Sequence, residues 1–500
     1  MKMKEDKTNY NLPDKWIWTT VGEIGVVISG GTPSTQNPEF WGGDIDWITP
    51  ADLSNYNNKY ISKGARCITK TGLFYSSAKL LPKGSILFSS RAPIGYVAIA
   101  NNDLTTNQGF KNLIPAKSLF SDYVYYYFKT IKPLAEKMAS GTTFLELSAT
   151  KFSQIPFPLP PLNEQHRIVS KIEELFSDLD HAEKGLKKAQ RQLEVYRQAL
   201  LKSAFRGELI TKKVKNNKLP EGWVWIKFND FCKLQRGYDL PLSKITHGQY
   251  PVVTSSGIKG YHKKYKAKGP CLTTGRSGSV GKIHFMDVEY YWPHNTVLYV
   301  KDFCNNVPKF VYYYFLQFDF KSYSSSTAVP TLDRKQLYNA NVPLPTLVEQ
   351  EQIVLELDSR FSLIENLDNT IKINLQKTKA FRYAILKKAF SGKLVPQNPN
   401  DEDASKLLQK IQIEKENYLI TKQNLYRNKP KRGLIMEINK SPREILEEAK
   451  EPIEARTLWK QSKYKDDIDD FYANLKNIEN EIIVITKGKK TLIGLKNENR

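Results

Sequence analysis

From Ile168 to Leu200 apolar residues recur in steps of four and three: Ile168, Ile172, Leu175, Leu179, Ala182, Leu186, Ala189, Leu193, Tyr196 and Leu200. A 3.5-residue period belongs to a helix that lays one apolar seam against a partner helix. Pro160 and Pro161 set its start, and Gly207 is placed to stop it. A second run repeats the steps at Ile353, Leu357, Arg360, Ile364, Leu367, Ile371, Asn374, Thr378, Phe381 and Ile385. Arg360, Asn374 and Thr378 interrupt that seam, and polar seam residues cost stability but fix register and partner.

The two runs are copies of one sequence. "PLPPLNEQHRIVSKIEELFSDLD" from Pro158 and "PLPTLVEQEQIVLELDSRFSLIENLD" from Pro343 pair Leu159 with Leu344, Glu164 with Glu349, Gln165 with Gln350 and Phe176 with Phe361, always 185 residues apart. "QALLKSAFRGEL" from Gln198 and "YAILKKAFSGKL" from Tyr383 keep the same offset. Elsewhere the offset drifts: "LPDKWIW" answers "LPEGWVW" at 207, and "YVYYYF" answers "FVYYYF" at 187. Each half therefore holds a variable globular unit followed by a helix of fixed length. The two helices are expected to pack on each other, antiparallel, which would relate the halves by a pseudo-two-fold axis. The plainer alternative docks each helix on its own domain.

The variable units read as mixed α and β. "GSILFSS", "GYVAIA", "GPCLTTG" and "GKIHFMD" are short β-rich runs between Gly and Pro punctuation. The aromatic clusters at Tyr123–Phe128 and Tyr312–Phe315 read as core packing. The expected divisions are a globular unit over 10–158, a helix over 159–212, a second unit over 219–343, a second helix over 344–398, and a mostly helical extension over 399–500. In that extension "DEDASKLLQKIQIEKENYL" reads as a helix, and "SPRE" at Ser441 is a capping box with Pro442 at the first helical position. The extension is expected either to dock a partner or to wrap back onto the domains.

Charge narrows the function. Lys and Arg number 75 against 52 Asp and Glu, a formal charge of +23, which favours a polyanionic partner. The four cysteines, Cys67, Cys232, Cys271 and Cys304, show no CxxC spacing and read as free thiols. The N-terminal stretch has no apolar run behind its charges, and no segment approaches the ~18 apolar residues of a membrane span, so a cytoplasmic protein is expected.

Catalytic motifs fail one by one. "NPEF" at Asn37 resembles the Asn-Pro-Pro-aromatic motif of amino-methyltransferases, but Glu39 replaces the second proline, so it reads as a turn. "GRSGSVGKI" at Gly275 lacks the spacing of a phosphate loop. The six histidines form no ligand-spaced cluster, so no metal site is expected. "ENEIIVITKGK" at Glu479 is only a loose match to a nuclease pattern.

Binding candidates remain. "IKGYHKKYKAKG" carries Lys259, Lys263, Lys264, Lys266 and Lys268 among aromatics without an acid, suiting a loop that tracks phosphates. "SGGTPST", with Ser29, Gly30, Gly31 and Thr32, offers backbone N–H groups and hydroxyls to a phosphate. Arg91 and Arg276 stand at matching places in the halves, and arginine makes the commonest specific contact to guanine. Asn107, Lys111, Thr142, Arg236, His294 and Asn295 complete the DNA-binding candidates. Subunit docking and helix pairing are assigned to Ile168, Ile172, Leu175, Leu179, Leu186, Leu193, Leu200, Ile353, Leu357, Ile364, Leu367, Ile371, Phe381 and Ile385.

Over about residues 10 to 400 the chain resembles the specificity subunit of Type I restriction-modification systems. The likeness rests on "WIWTTVGEIGVVISGGTPSTQNPEFWGGDIDWITPADL", "LPEGWVWIKF" and the two Pro-Leu-Pro helices with their Glu-Gln pairs. The resemblance implies an α+β fold of two target recognition domains, each reading one half of a split double-stranded DNA sequence, with the helices as a ruler between them. It implies no catalysis in this chain. Two modification subunits would carry the adenine methyltransferase site with S-adenosylmethionine, and restriction subunits would use ATP and Mg. Two other classes are weighed beside it: a methyltransferase or nuclease with degenerate motifs, and a non-specific DNA-binding coiled-coil scaffold.

Overall fold

The computed structural model describes residues 11–141, 145–210, 219–245, 247–324, 330–427, 440–449, 451–464, 467–487 and 490–496. The chain folds as two compact units, 1–169 with 396–500, and 170–395.

In the first unit the strand Ile17–Thr20 pairs antiparallel with Pro156–Leu159, tying the start of the domain to its end. Between them lies a five-stranded sheet in the order Gly25–Ser29, Lys111–Pro115, Ile86–Ser90, Ile94–Ala100, Tyr60–Ile61, beside a three-stranded sheet around Trp41–Ile48. The helix Ser121–Phe128 buries its aromatic run, as the sequence predicts: Phe128 packs edge-on against the stacked rings of Phe88 and Phe152 in the core. Their exclusion from water, not base stacking, explains the cluster.

The second unit repeats the plan. Val224–Lys227 pairs with Asn341–Leu344, and Val224 opposite Leu344 answers Ile17 opposite Leu159. Two four-stranded sheets lie between, and the helix Pro308–Gln317 buries Phe310, Tyr313, Tyr314 and Phe315.

Both long helices are 44 residues, Leu162–Phe205 and Leu347–Phe390. Each docks its first turns on its own domain through the same side chains. Gln165 accepts from Phe120 N–H at 3.1 Å and donates to the Pro160 carbonyl at 3.0 Å. Gln350 accepts from Val307 N–H at 3.0 Å and donates to the Pro345 carbonyl at 3.2 Å and to Asn306 at 2.8 Å. The Trp16 indole donates to Glu164 at 3.0 Å and the Trp223 indole to Glu349 at 3.2 Å. Burial pushes the Glu164 carboxyl up, and the N–H groups of Trp16 and Gln397 hold it back.

Within the second unit the helices also pair, and antiparallel. Arg382 lies over the Phe176 ring at 5.0 Å, Gln190 donates to Asp368 at 2.9 Å, and Arg197 lies over Phe361 at 4.8 Å, so one numbering rises as the other falls. The two Arg–Phe contacts are mates at the 185 offset. Own-domain docking and helix pairing, weighed as alternatives on the sequence, both occur.

The seam needs correction in the second helix. Ile353, Leu357, Ile364 and Ile371 are buried, but Leu367 and Phe381 are each 53% exposed. Asp368 and Arg382 face the first helix instead. A strict 3.5-residue stripe drifts by about 20° per heptad on an unsupercoiled helix, so the stripe read at Leu367 and Phe381 slips one position off the contact line. In the first helix Ile168, Ile172 and Leu200 are buried, whereas Leu175, Leu179, Leu186 and Leu193 are half-buried. Gly207 ends that helix with φ +77°, where a Cβ would sit 2.1 Å from Pro220 Cγ.

The extension returns to the first domain. The helix Ala404–Arg427 turns Ala404, Leu407, Ile411 and Tyr418 inward, and Tyr418 joins the core of the five-stranded sheet. Glu414 accepts from Ser118 N–H at 3.0 Å, Lys415 donates to the Gly22 carbonyl at 2.6 Å, and Arg167 pairs with Asp401 at 2.6 Å. Of the two expectations, wrapping back is the one observed for this stretch. The Ser441–Glu444 capping box also forms. Beyond it the extension adds a three-stranded sheet, Ile453–Glu454, Ile482–Lys487 and Lys490–Leu495, that a mostly helical reading did not include.

Candidate nucleic-acid interface

The candidate residues gather in two places, one in each domain. In the first, Arg91 follows the strand Ile86–Ser90 and bridges to Glu146. Its guanidinium lies 3.6 Å from the Glu146 carboxylate, and Lys111 reaches the same carboxylate at 3.2 Å. The Lys111 side chain is only 8% exposed, so its charge is spent on Glu146 inside the fold rather than offered to a phosphate. Arg91 keeps about a third of its surface open. Asn107 accepts from Gly109 N–H at 2.9 Å and shapes the neighbouring loop. Thr142 lies outside the described residues.

The "SGG" stretch takes a different role from the one its composition suggests. Gly30 N–H donates to the Phe110 carbonyl at 3.2 Å and Gly31 N–H to the Thr106 carbonyl at 2.8 Å. Both amides are committed, so they do not form a phosphate nest. The glycines are needed for close approach: a Cβ at Gly30 would sit 1.9 Å from the Asn107 oxygen, and one at Gly31 2.3 Å from Ala78 N. Thr32 hydrogen-bonds Gln108, and Ser29 is exposed.

In the second domain four candidates converge. Arg236 pairs with Asp239 at 3.5 Å, and Asp239 also accepts from Asn295. Arg276 donates to the Asn295 carbonyl at 3.4 Å. His294 is held on both sides, by Leu240 O at 3.0 Å and Thr296 Oγ1 at 3.1 Å. Arg91 and Arg276, read from the sequence as matching, are one position out of frame: Leu147 N–H donates to Ser90 O at 3.0 Å and Leu332 N–H to Arg276 O at 2.8 Å, with the two leucines 185 residues apart, so Arg276 answers Ser90 and Ser277 answers Arg91.

The lysine-rich stretch forms the edge strand Gly257–His262 and the turn after it. Lys259, Lys263, Lys264, Lys266 and Lys268 are all exposed, with Tyr261 and Tyr265 among them. Lysines also keep an unpaired sheet edge from recruiting another strand, so solubility alone accounts for some of them. Lys266 sits 5.5 Å from the rings of Tyr238 and Trp292, which holds its charge beside the Arg236–Asn295 cluster.

Several members escaped the sequence reading. Glu146 and Asp239 organise the two basic clusters, and nothing in their local sequence marks them. Lys282 is exposed and donates to Ser256 O at 3.4 Å, yet it lies in the stretch tested only as a phosphate loop. Arg66 stacks on Trp41 at 3.5 Å. Among the described residues no group of three or more His, Cys, Asp or Glu is placed to hold a metal, and no helix is long and apolar enough to cross a membrane.

A family described as "Type I restriction modification DNA specificity domain" matches residues 13–189 and 220–379, more than half the chain. The chain belongs to this family. The two matched spans are the two domain-plus-helix units of the repeat. The MjaIX specificity subunit of Methanocaldococcus jannaschii is 37% identical over 271 residues, covering 52% of this chain and 60% of that protein. The EcoR124I/EcoR124II specificity subunit of Escherichia coli is 31% identical over 196 residues, 37% of this chain and 47% of that protein. The chain thus spans about half to three-fifths of these relatives. The EcoKI specificity subunit of Escherichia coli is matched over 96% of its length and 81% of this chain, at 22% identity. The HsdS subunit from Thermoanaerobacter tengcongensis shares the fold, with TM-score 0.54 at 20% identity, over 78% of this chain and all of that one. A chain from a type I R-M system solved for its assembly and conformational transition aligns with TM-score 0.63 at 20% identity, over 77% and 100%. These likenesses do not favour the degenerate-enzyme or non-specific scaffold readings.

Proposed function

We propose that this chain is the DNA-reading subunit of a Type I restriction-modification assembly and reads a two-part target, one half with each globular domain. The observation that carries the proposal is the duplication itself. Two domains that differ in sheet layout are fixed to two identical-length helices by the same Gln, Glu and Trp contacts. A reader of a split site needs variable readers and a constant spacer, which is the division between drifting and fixed offsets.

The dimensions support this. A 44-residue helix is about 66 Å long at ~1.5 Å per residue. At ~3.4 Å per base pair that length reaches past one turn of duplex DNA. The Lys259–Lys268 edge supplies phosphate contacts, and Arg276 and Asn295, beside the internally bonded His294, supply donors for base edges.

The chain performs no chemistry of its own on this reading. Two modification subunits bring S-adenosylmethionine, and restriction subunits bring ATP and Mg, in the cytoplasm. Val348, Leu355, Leu363, Leu367 and Phe381 of the second helix are each more than half exposed and give the modification subunits an apolar surface. Selection from a random DNA pool by the chain with its modification subunits tests the proposal. It predicts two short conserved blocks separated by a fixed unconserved gap. A single block, or no enrichment, overturns it.

A further inference from the structure

Between residues 11 and 159 the chain holds two arginines, Arg66 and Arg91. The Arg91 guanidinium lies 3.6 Å from the Glu146 carboxylate. Arg66 is exposed, on the strand Arg66–Ile68 at the edge of the three-stranded sheet. Among the described residues its guanidinium has neither an ion pair nor a hydrogen bond. An aromatic ring holds it instead: its Cζ stands 3.5 Å from the centre of the Trp41 ring, in van der Waals contact.

The platform is built outward from the core. Trp47 is buried, stands opposite Arg66 across the strands, and donates its indole N–H to Gly31 O at 2.9 Å. Trp41 meets Trp47 edge to face at 4.9 Å and donates to Ser34 O at 3.1 Å. A bulge sets it there. Trp41 and Ile45 both stand opposite Ile68, so Gly42, Gly43 and Asp44 loop out between them, Gly42 with φ +80°. Both indole N–H groups thus tie down the "SGGTPST" stretch, whose Ser34 and Thr35 are exposed. The nearby acids leave Arg66 free. Asp46 is buried and accepts from Asn102 at 3.1 Å and from the Cys67 thiol at 3.7 Å. Asp44 is exposed and makes no ion pair with Arg66.

A guanidinium that stacks by its face keeps the N–H donors of its plane for another group. Those donors form the fork that matches O6 and N7 of guanine. A phosphate contact needs charge, which the exposed Lys63 and Lys70 on either side of Arg66 carry without a fixed plane. A base contact needs the plane held in place, and Trp41 holds it. We propose that Arg66, ordered on Trp41, is the side chain with which the first domain reads a guanine in its half of the target. The inference rests on the function proposed above and supplies a base-reading residue for the domain in which that reading named none.

The test uses the full chain assembled with its modification subunits, selecting from a random DNA pool at two salt concentrations, with wild type, Arg66→Lys and Arg66→Gln compared. Wild type is expected to give two conserved blocks. Both variants are expected to lose a G·C pair at one position of one block, with discrimination there falling about tenfold or more. The other block and the gap stay as they were. Arg66→Lys keeps the charge and lacks the fork, so it is expected to hold the salt dependence of binding while losing the base preference. A motif unchanged in both variants overturns the assignment. That holds if affinity falls alike for all sequences, as for a phosphate contact, and equally if only the melting temperature falls, as for a cap on Trp41. Relaxation at an A·T pair overturns it too. A wild-type assembly that selects no two-block motif overturns the function proposed above and this inference with it, and the wild type alone shows which failure has occurred.

Discussion

Gln165 and Gln350 are the sharpest place to perturb the repeat. Both are buried, and both bridge a helix start to the domain it carries. Replacing Gln165 with Leu keeps most of the volume but strands two buried groups, the Phe120 N–H and the Pro160 carbonyl. Each unpaired buried group costs about 1–3 kcal/mol, so Gln165→Leu, which strands two, is expected to cost about 2–6 kcal/mol. Gln350→Leu strands the Val307 N–H, the Pro345 carbonyl and one bond of Asn306, and is expected to cost at least as much. Urea unfolding of the full chain measures the loss. The two compact units need not unfold together, so each transition is followed by hydrogen exchange of its own peptides. Gln165→Leu should speed exchange at Phe120, and Gln350→Leu at Val307. A change below about 0.5 kcal/mol for either variant, the range of an ordinary surface substitution, would show that these amides do not hold domain to helix and would refute the reasoning.

Other outcomes follow from the same geometry. Lys259→Ala, Lys263→Ala and Lys264→Ala together should weaken DNA binding alike for target and non-target sequences. They should also lower the salt slope by up to about 0.9 for each phosphate no longer neutralised, read from a salt titration of binding. Gly207→Ala should destabilise the second unit by more than about 1 kcal/mol, from the left-handed backbone plus the clash with Pro220, as a lowered melting temperature. Arg167→Leu leaves the Asp401 carboxylate, with its side chain 3% exposed, without its charged partner; a loss of about 1.5–3 kcal/mol and faster proteolysis of the 404–427 helix are expected. A thiol reagent at neutral pH should reach Cys67 and Cys304 well before Cys232 and Cys271, since the latter two are buried and burial pushes the Cys271 thiol up to about 12.

Much of this architecture was legible because the helices are periodic and copied. A heptad fixes a helix from local sequence alone, and an ungapped offset of 185 residues fixes that the geometry is used twice. Leu367 and Phe381 show the limit: pattern gives a stripe, but only packing decides which of two adjacent stripes faces the partner. The domains were less legible because their partners are remote in sequence. Nothing near Ile17 announces that it pairs with Leu159, and nothing near Glu414 announces Ser118. Composition misled at Gly30 and Gly31, where glycine serves close approach instead of a phosphate. Arg236, Arg276, His294 and Asn295 do lie together in the second domain, but the acid that links Arg236 to Asn295, Asp239, has no local signal.

The central claim is that one chain reads two half-sites independently. Methylome sequencing of cells carrying this chain with its modification subunit tests it most directly, repeated after residues 219–342 are exchanged for those of a relative with a different target. The account predicts a methylated motif of two short blocks with a fixed gap, and an exchange that changes one block while the other block and the gap stay the same. Methylation at a motif in which both blocks change together, or in which neither does, would contradict it.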